Sequence, residues 1–206
     1  MPRSKSSNRW LQEHFADIFV KRALTEGYRS RAVYKLQEID KKEQLIKPGM
    51  VIIDLGAAPG SWSEYVGRKL QGNGTVIALD KLEMEALPGV HTICGDFQEE
   101  VVLEQLQSLI KVRTVDLILS DMAPNMSGTA EIDIPRAMHL AELALDFAES
   151  MLKPEGTLFM KLFIGRGFES LVQLARQKFK KVVIRKPLAS RARSRETYLL
   201  AKGYTL

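Results

Sequence analysis

One cysteine, three histidines and no apolar run near the roughly 20 residues that span a bilayer bound the reading of this 206-residue chain. A single cysteine excludes an intrachain disulfide. Cys94, inside the apolar segment Val90-His-Thr-Ile-Cys94, reads as a buried, inert thiol. His14, His91 and His139 are scattered, so no metal site is expected. The basic, Ser-rich start (Met1-Pro-Arg-Ser-Lys-Ser-Ser-Asn-Arg9) has no apolar stretch behind it and is too short for a transit peptide. We therefore expect a cytoplasmic protein without membrane contact. No repeat, linker or low-complexity tract is present. The last absence is local: residues 176–195 hold nine Lys/Arg and no acid.

What is present fits one α/β domain with a sizeable core, since the chain is 45% hydrophobic and 27% charged. The net charge of +5 hides an asymmetry. Residues 1–35 carry eight Lys/Arg against three acids, whereas residues 36–175 carry twelve against twenty-one. Two basic ends around an acidic body point to a polyanion laid across one face, because Lys and Arg pair with phosphates and release counterions. The alternative, a solvated charged surface, fits a twenty-residue stretch without one acid less well.

The organising stretch is Val51-Ile-Ile-Asp-Leu-Gly-Ala-Ala-Pro-Gly-Ser-Trp-Ser-Glu64. An apolar strand ends near Asp54, turns through Gly56 and Gly60, and opens a helix at Ser61. Ser61 and Glu64 have the spacing of a capping box. Strand, glycine turn and helix form the first unit of a nucleotide-binding α/β sheet. The loop lacks the third glycine of G-x-G-x-x-G, and Pro59 removes an N–H that a pyrophosphate would need. A cofactor with an adenosine but no phosphate, such as S-adenosylmethionine (AdoMet), suits this loop better than a dinucleotide does.

Along the chain, residues 8–27 read as an amphipathic helix ended by Gly27, with Trp10, Leu11, Phe15, Ile18 and Phe19 mostly inward. A second helix follows from Tyr28 to Asp40, with Arg29, Arg31 and Lys35 on a polar side. Further strands are expected at Thr75–Asp80, Val90–Cys94, Val115–Asp121 and Thr157–Phe163, the last after a turn at Lys153-Pro-Glu-Gly. Helices are expected at 98–110 (Val101, Val102, Leu106 and Leu109 inward), 134–152 and 167–179. The strands beginning at Lys181 and Glu196 are joined by the short loop 188–195, so they should be antiparallel neighbours.

Ligands of open α/β sheets sit beyond the carboxyl ends of the strands. Asp54, Asp80, Asp96 and Asp121 arrive there in step with four successive strands. Asp80, twenty residues after Gly60, is placed to accept both ribose hydroxyls of an adenosine. Lys161, between Phe159, Met160, Leu162 and Phe163, is costly to desolvate and needs a partner, for which Asp121 is the evident counter-charge. His139 lies among ordinary packing residues and is given no chemistry.

Asp54-Leu-Gly-Ala-Ala-Pro-Gly60, Ser120-Asp-Met-Ala-Pro-Asn125, Lys161 and Ser190-Arg-Ala-Arg-Ser-Arg-Glu196 together resemble the FtsJ-type (RlmE) ribosomal-RNA 2′-O-methyltransferases, over nearly the whole chain from about Arg9. The resemblance implies a Rossmann-like AdoMet-dependent methyltransferase fold. Its sheet should have seven strands, mostly parallel, with one antiparallel strand near the C-terminus and helices on both faces. It implies a single domain, with residues 48–206 as catalytic sheet and 1–35 as a basic helical extension toward RNA. It implies a catalytic Lys35, Asp121, Lys161 and Glu196, and AdoMet contacts at Gly60, Trp62, Asp80, Asp96 and Asp121, to which the glycine turn adds Asp54 and Gly56. The pattern is intact at each position. Trp62 could equally be a packing residue at the helix start.

The implied substrate is the ribose 2′-hydroxyl of a uridine in 23S ribosomal RNA, within the assembled 50S subunit. Arg29, Arg31, Arg191, Arg193 and Arg195 are expected to contact the RNA, and the protein is expected to be a monomer. Only a neutral lysine is a base, and an ordinary one titrates near ~10.4. Lys161 is thus expected either to accept the hydroxyl proton or only to orient the hydroxyl. Three other readings stay open: a ribosome-assembly factor whose methylation is secondary, methylation of another RNA such as tRNA, and a nicotinamide-dependent dehydrogenase.

Overall fold

The structure is a computed structural model that describes residues 17–112, 114–191 and 194–205. Its frame is a seven-stranded sheet: β1 (Val51–Leu55), β2 (Thr75–Asp80), β3 (His91–Cys94), β4 (Val115–Ser120), β5 (Leu152–Phe163), β6 (Phe179–Arg185) and β7 (Glu196–Tyr204). The spatial order is β3-β2-β1-β4-β5-β7-β6. β7 runs antiparallel to both β5 and β6, and the remaining pairs are parallel. The order reverses between β1 and β4, so the sheet opens a crevice at their carboxyl ends.

Among the described residues the helices are α1 (Ile18–Glu26), α2 (Val33–Glu43), α3 (Ser61–Leu70), α4 (Glu100–Leu109), α5 (Ala130–Met151) and α6 (Phe168–Lys178). Because side chains alternate across a strand, β1 feeds two cores. Ile53 and Leu55 pack with Leu106 and Leu145 on the face of α4, α5 and α6. Ile52 packs with Leu36, Trp62 and Val66 on the face of α2 and α3. Asp54 shares that second face, which is why a carboxylate ends up 1% exposed in a core strand.

Several expectations change. The helix that Gly27 ends is broken at Asp17, which caps it through a bond from the Phe19 N–H (3.0 Å) and fixes its start at Ile18. Residues 8–16, with Trp10, Leu11, His14 and Phe15, lie outside the described residues. Ile18 is 72% exposed, not inward. The second helix starts at Val33, and Arg29 and Arg31 lie ahead of it.

The capping box at Ser61 does not form. Gly60 is the N-cap (φ 103°), the Ser61 hydroxyl meets that of Ser30 at 2.5 Å, and Glu64 pairs with Arg68. Cys94 is exposed, because β3 is a four-residue edge strand on which only Ile93 faces the core. Val101 and Leu109 are exposed for a similar reason, as the buried stripe of α4 is Val102 and Leu106 alone.

α5 begins earlier than expected, at Ala130, because the Asp133 carboxylate accepts the Ser127 and Gly128 N–H groups and folds the preceding loop onto the helix. β5 likewise begins at Leu152. The expected turn is reduced to a left-handed Glu155 (φ 67°) and a register shift against β4. No helix among the described residues is long and apolar enough to cross a membrane.

Candidate active site

Two cavities open along the carboxyl edge of the sheet. The first, about 330 Å³, lies over β1, β2 and β4 and is walled by Gly56, Ala58, Asp80, Gly95, Asp121 and Leu140. Gly56 is obligatory there, since a Cβ on it would sit 2.5 Å from Met122 Cγ and the backbone is left-handed at φ 70°. Asp80 Oδ2 accepts the Ala58 N–H and Oδ1 the Leu82 N–H, both at 2.8 Å, so the carboxylate is held facing the cavity with lone pairs to spare.

Asp54 Oδ2 accepts the Ser63 hydroxyl at 2.6 Å, whereas Oδ1 is buried with no donor. Burial, reinforced by the nearby charges of Asp121 and Asp80 and eased by the Ser63 bond, pushes the Asp54 carboxyl up to about 7. Asp54 does not itself line the cavity, but its orphaned acceptor, two residues before the Gly56 wall, fits a bound group that brings a donor or a positive charge. Asp96 turns its carboxylate to Lys81 (2.7 Å) and Gln98, while its neighbours Gly95 and Phe97 line the cavity.

The Trp62 ring is not in that cavity. It is 3% exposed, stacks on Phe159 with centroids 5.5 Å apart, and donates its Nε1–H to the Ala32 carbonyl at 2.8 Å. An amphipathic indole at the first turn of a helix finds both its apolar and its polar partner in the α2–α3 core. What Trp62 still presents is its backbone N–H, one of the first-turn amides that a helix leaves without an internal partner.

The second cavity, about 300 Å³, lies between the segment before α2 and the loop before β7, lined by Ser30, Arg31, Lys35, Ser190, Arg191 and Glu196 among others. An ion-pair chain joins the two cavities. Lys35 Nζ lies 2.7 Å from Glu196 Oε1; Lys161 Nζ lies 3.9 Å from Glu196 Oε2 and 2.6 Å from Asp121 Oδ1. Lys161 also donates to the Asp121 carbonyl at 2.9 Å. The four side chains expected from the sequence therefore converge. Burial alone would push the Asp121 carboxyl up, but the Lys161 and Lys35 charges, with bonds from Lys161 and Tyr198, outweigh it and hold it below the usual range. Glu196 behaves alike: burial acts against it, and Lys35 and Lys161 win.

The sequence reading missed Tyr198 and Ser190. Tyr198 is fully buried, donates its hydroxyl to Asp121 Oδ1 at 2.7 Å, stacks on Phe159 and meets the Trp62 ring at a tilt. It pairs with Lys161 across the β5–β7 ladder, and the period of two from Glu196 could have put it on the same face. Ser190 donates to Glu196 Oε1 at 2.8 Å.

The basic ends are less available than the charge count implies. Arg29 is spent on backbone carbonyls, at 2.9 Å from Pro59 and Glu85 and 3.3 Å from Ala86. Arg31 is held by Asp17 and the Ala189 carbonyl, although it lines the second cavity. Burial and the like charge of Arg191 push its guanidinium down, a strain that an anion between them would relieve. In the 176–195 run, Lys178 pairs with Glu149, Lys180 with Glu155 and Arg185 with Glu43, so acids of the chain's middle neutralise part of it. Arg195 is exposed beside Gly165 and Arg166, and Arg193 lies outside the described residues.

Residues 28–204 match the family model described as FtsJ-like methyltransferase. A Legionella pneumophila (strain Corby) protein named ribosomal RNA large subunit methyltransferase E is 66% identical over 206 residues, 100% of each chain. A Dichelobacter nodosus protein of the same name is 56% identical, covering 99% of this chain and 98% of that one. Among solved structures, a Plasmodium falciparum protein described as a putative ribosomal RNA methyltransferase superposes with TM-score 0.78 at 29% identity, over 86% of this chain and 98% of that one. A Methanococcus jannaschii fibrillarin, at 18% identity and TM-score 0.54 over 79% and 70% of the two chains, shares the fold. With its two cavities joined by a lysine–carboxylate chain and the family model matching from Tyr28 to Tyr204, this chain belongs to the FtsJ-like methyltransferase family.

Proposed function

We propose that this protein transfers a methyl group from AdoMet to the ribose 2′-hydroxyl of a uridine in large-subunit ribosomal RNA, acting in the cytoplasm on the assembled subunit. The observation that carries the reading is Lys161, an 8%-exposed ammonium set between the two cavities. The names of the 66% and 56% identical relatives support ribosomal RNA as the acceptor.

AdoMet supplies a methyl carbon made electrophilic by its sulfonium. Asp80 would take its ribose hydroxyls, the first-turn amides of α3 its carboxylate, and the unsatisfied Asp54 Oδ1 its ammonium. On the acceptor side, two of the three Lys161 N–H groups are engaged by Asp121, which leaves one to grip the 2′-oxygen. Glu196 Oε1 is occupied by Lys35 and Ser190, whereas Oε2 faces the gap toward Lys161 and can receive the hydroxyl's own hydrogen. The proton would pass to Glu196 Oε2 as the methyl group exchanges its S–C bond for the new O–C bond, with the rest of the cofactor leaving as a neutral thioether. The enzyme's work is then mostly placement, an effect that reaches roughly 7–11 kcal/mol when reacting groups are held in line. Phosphates of the acceptor strand would sit at Arg31 and Arg191 and fix its position, leaving the base to be chosen by local contacts.

The test is to offer labelled AdoMet to free ribosomal RNA and to undermethylated large subunits, then to locate the label by mass spectrometry. Label on one uridine ribose in the subunit sample supports the reading. Label on a base, or on neither substrate, refutes it.

A further inference from the structure

Two loops wall the first cavity: the glycine turn after β1, with Gly56 and Ala58, and the irregular segment 81–90 after β2, with Lys81 and Leu82. The Gly56 and Ala57 N–H groups reach Leu79 O at 2.9 and 3.3 Å; past them, no backbone hydrogen bond among the described residues joins the loops. Two side chains do. Asp80 works from inside, accepting one N–H from each loop. Arg29 works from outside, giving Nη1–H to Pro59 O and Glu85 O and Nη2–H to Ala86 O. The Glu85 carboxylate is 3.7 Å away and 93% exposed, so the grip rests on carbonyls. Arg29 also adjoins Ser30 and Arg31, which line the second cavity.

We propose that Arg29 is a positioning residue for cofactor binding: its guanidinium sets the spacing of the two cofactor loops and ties their order to the segment that lines the acceptor cavity. The planar fork spans three carbonyls at once, which a lysine ammonium on a flexible stem does not. The bonds are solvent-accessible, so water replaces them at small cost to global stability, and what is lost without Arg29 is the preorganisation of the loops. The cofactor part of this proposal rests on the reading of the first cavity as the AdoMet site.

The experiment compares full-length wild type, Arg29→Ala, Arg29→Lys and Glu85→Ala. In ligand-free protein, hydrogen–deuterium exchange of residues 56–60 and 81–90 should quicken in Arg29→Ala and leave the strands unchanged. Calorimetric titration with AdoMet should show binding weakened about tenfold in Arg29→Ala, the worth of roughly one net hydrogen bond. Arg29→Lys should recover part of it, and Glu85→Ala should bind as wild type does. RNA affinity without cofactor should be unaltered. Wild-type exchange in Arg29→Ala overturns the proposal. So does a fall in RNA affinity with a salt slope shallower by about 0.7, one phosphate contact's worth, at unchanged AdoMet affinity. A wild type whose loops depend on Arg29 but which binds no AdoMet refutes the cofactor reading and leaves the loop clamp standing.

Discussion

Asp54 makes stability depend on pH in a way that one substitution can isolate. Its carboxyl is 1% exposed, bonded on one oxygen to Ser63 and unpartnered on the other, and burial carries it from an ordinary 3.8 to about 7. Below about pH 3.8 the group is protonated in both folded and unfolded chains and its stabilising contribution is fully present. As pH rises toward about 7 the unfolded carboxyl ionises while the folded one holds its proton, and that contribution is lost. Each decade is worth about 1.4 kcal/mol, so the total loss is on the order of 4 kcal/mol. The Asp54→Asn side chain keeps an acceptor for the Ser63 hydroxyl and does not titrate. Stability curves of both proteins should therefore diverge between about pH 4 and about pH 8 by that amount, in favour of the variant, which is roughly 10 °C in Tm for a chain of this size. Titrating groups that do not feel the Asp54 charge cancel in the difference, and only Asp121 and Asp80 are coupled to it. AdoMet affinity supplies the converse: if its ammonium meets Asp54 Oδ1, wild-type binding strengthens up to about pH 7 while that of Asp54→Asn stays flat. A pH-independent difference in Tm would refute the assignment of a strained, buried carboxyl.

Two further substitutions probe the walls of the site. Tyr198→Phe removes the fully buried hydroxyl that donates to Asp121, and should cost about 2 kcal/mol in denaturant unfolding and lower kcat more than AdoMet affinity. An unchanged denaturation midpoint would contradict that bond. Gly56→Ala forces a side chain at φ 70° into Met122 and should weaken AdoMet binding at least tenfold, about 1.4 kcal/mol, by calorimetry, with little effect on RNA affinity.

The strands and the Lys161–Asp121 pair were legible because each rests on local pattern, whereas Lys35 and Glu196 entered only through the family resemblance. Short, nearly continuous apolar runs give the central strands, and a lysine among Phe159, Met160, Leu162 and Phe163 demands a counter-charge wherever the fold puts one. What escaped depends on which neighbour wins a side chain. Trp62 could have faced the cofactor or the core, and the Ala32 carbonyl with the Phe159 ring decided for the core. Arg29 looked free for phosphates until folding brought carbonyls to it, and Arg31 shares its guanidinium with Asp17 while still lining the second cavity. Cys94 took the solvent side because β3 is an edge strand, a fact of strand order that no local window contains. The basic run of 176–195 was a true compositional signal, but Glu43, Glu149 and Glu155 neutralise part of it from far along the chain.

In the proposed mechanism the Lys161 ammonium, between the two cavities, places the acceptor hydroxyl against the methyl group. Single-turnover methylation by Lys161→Met, read alongside calorimetric AdoMet binding and RNA binding, tests it most directly. Transfer should fall at least a thousandfold, as the loss of placement worth about 4 kcal/mol implies, while both ligands bind within a few-fold of wild type. Transfer at the wild-type rate with Lys161 absent would contradict it.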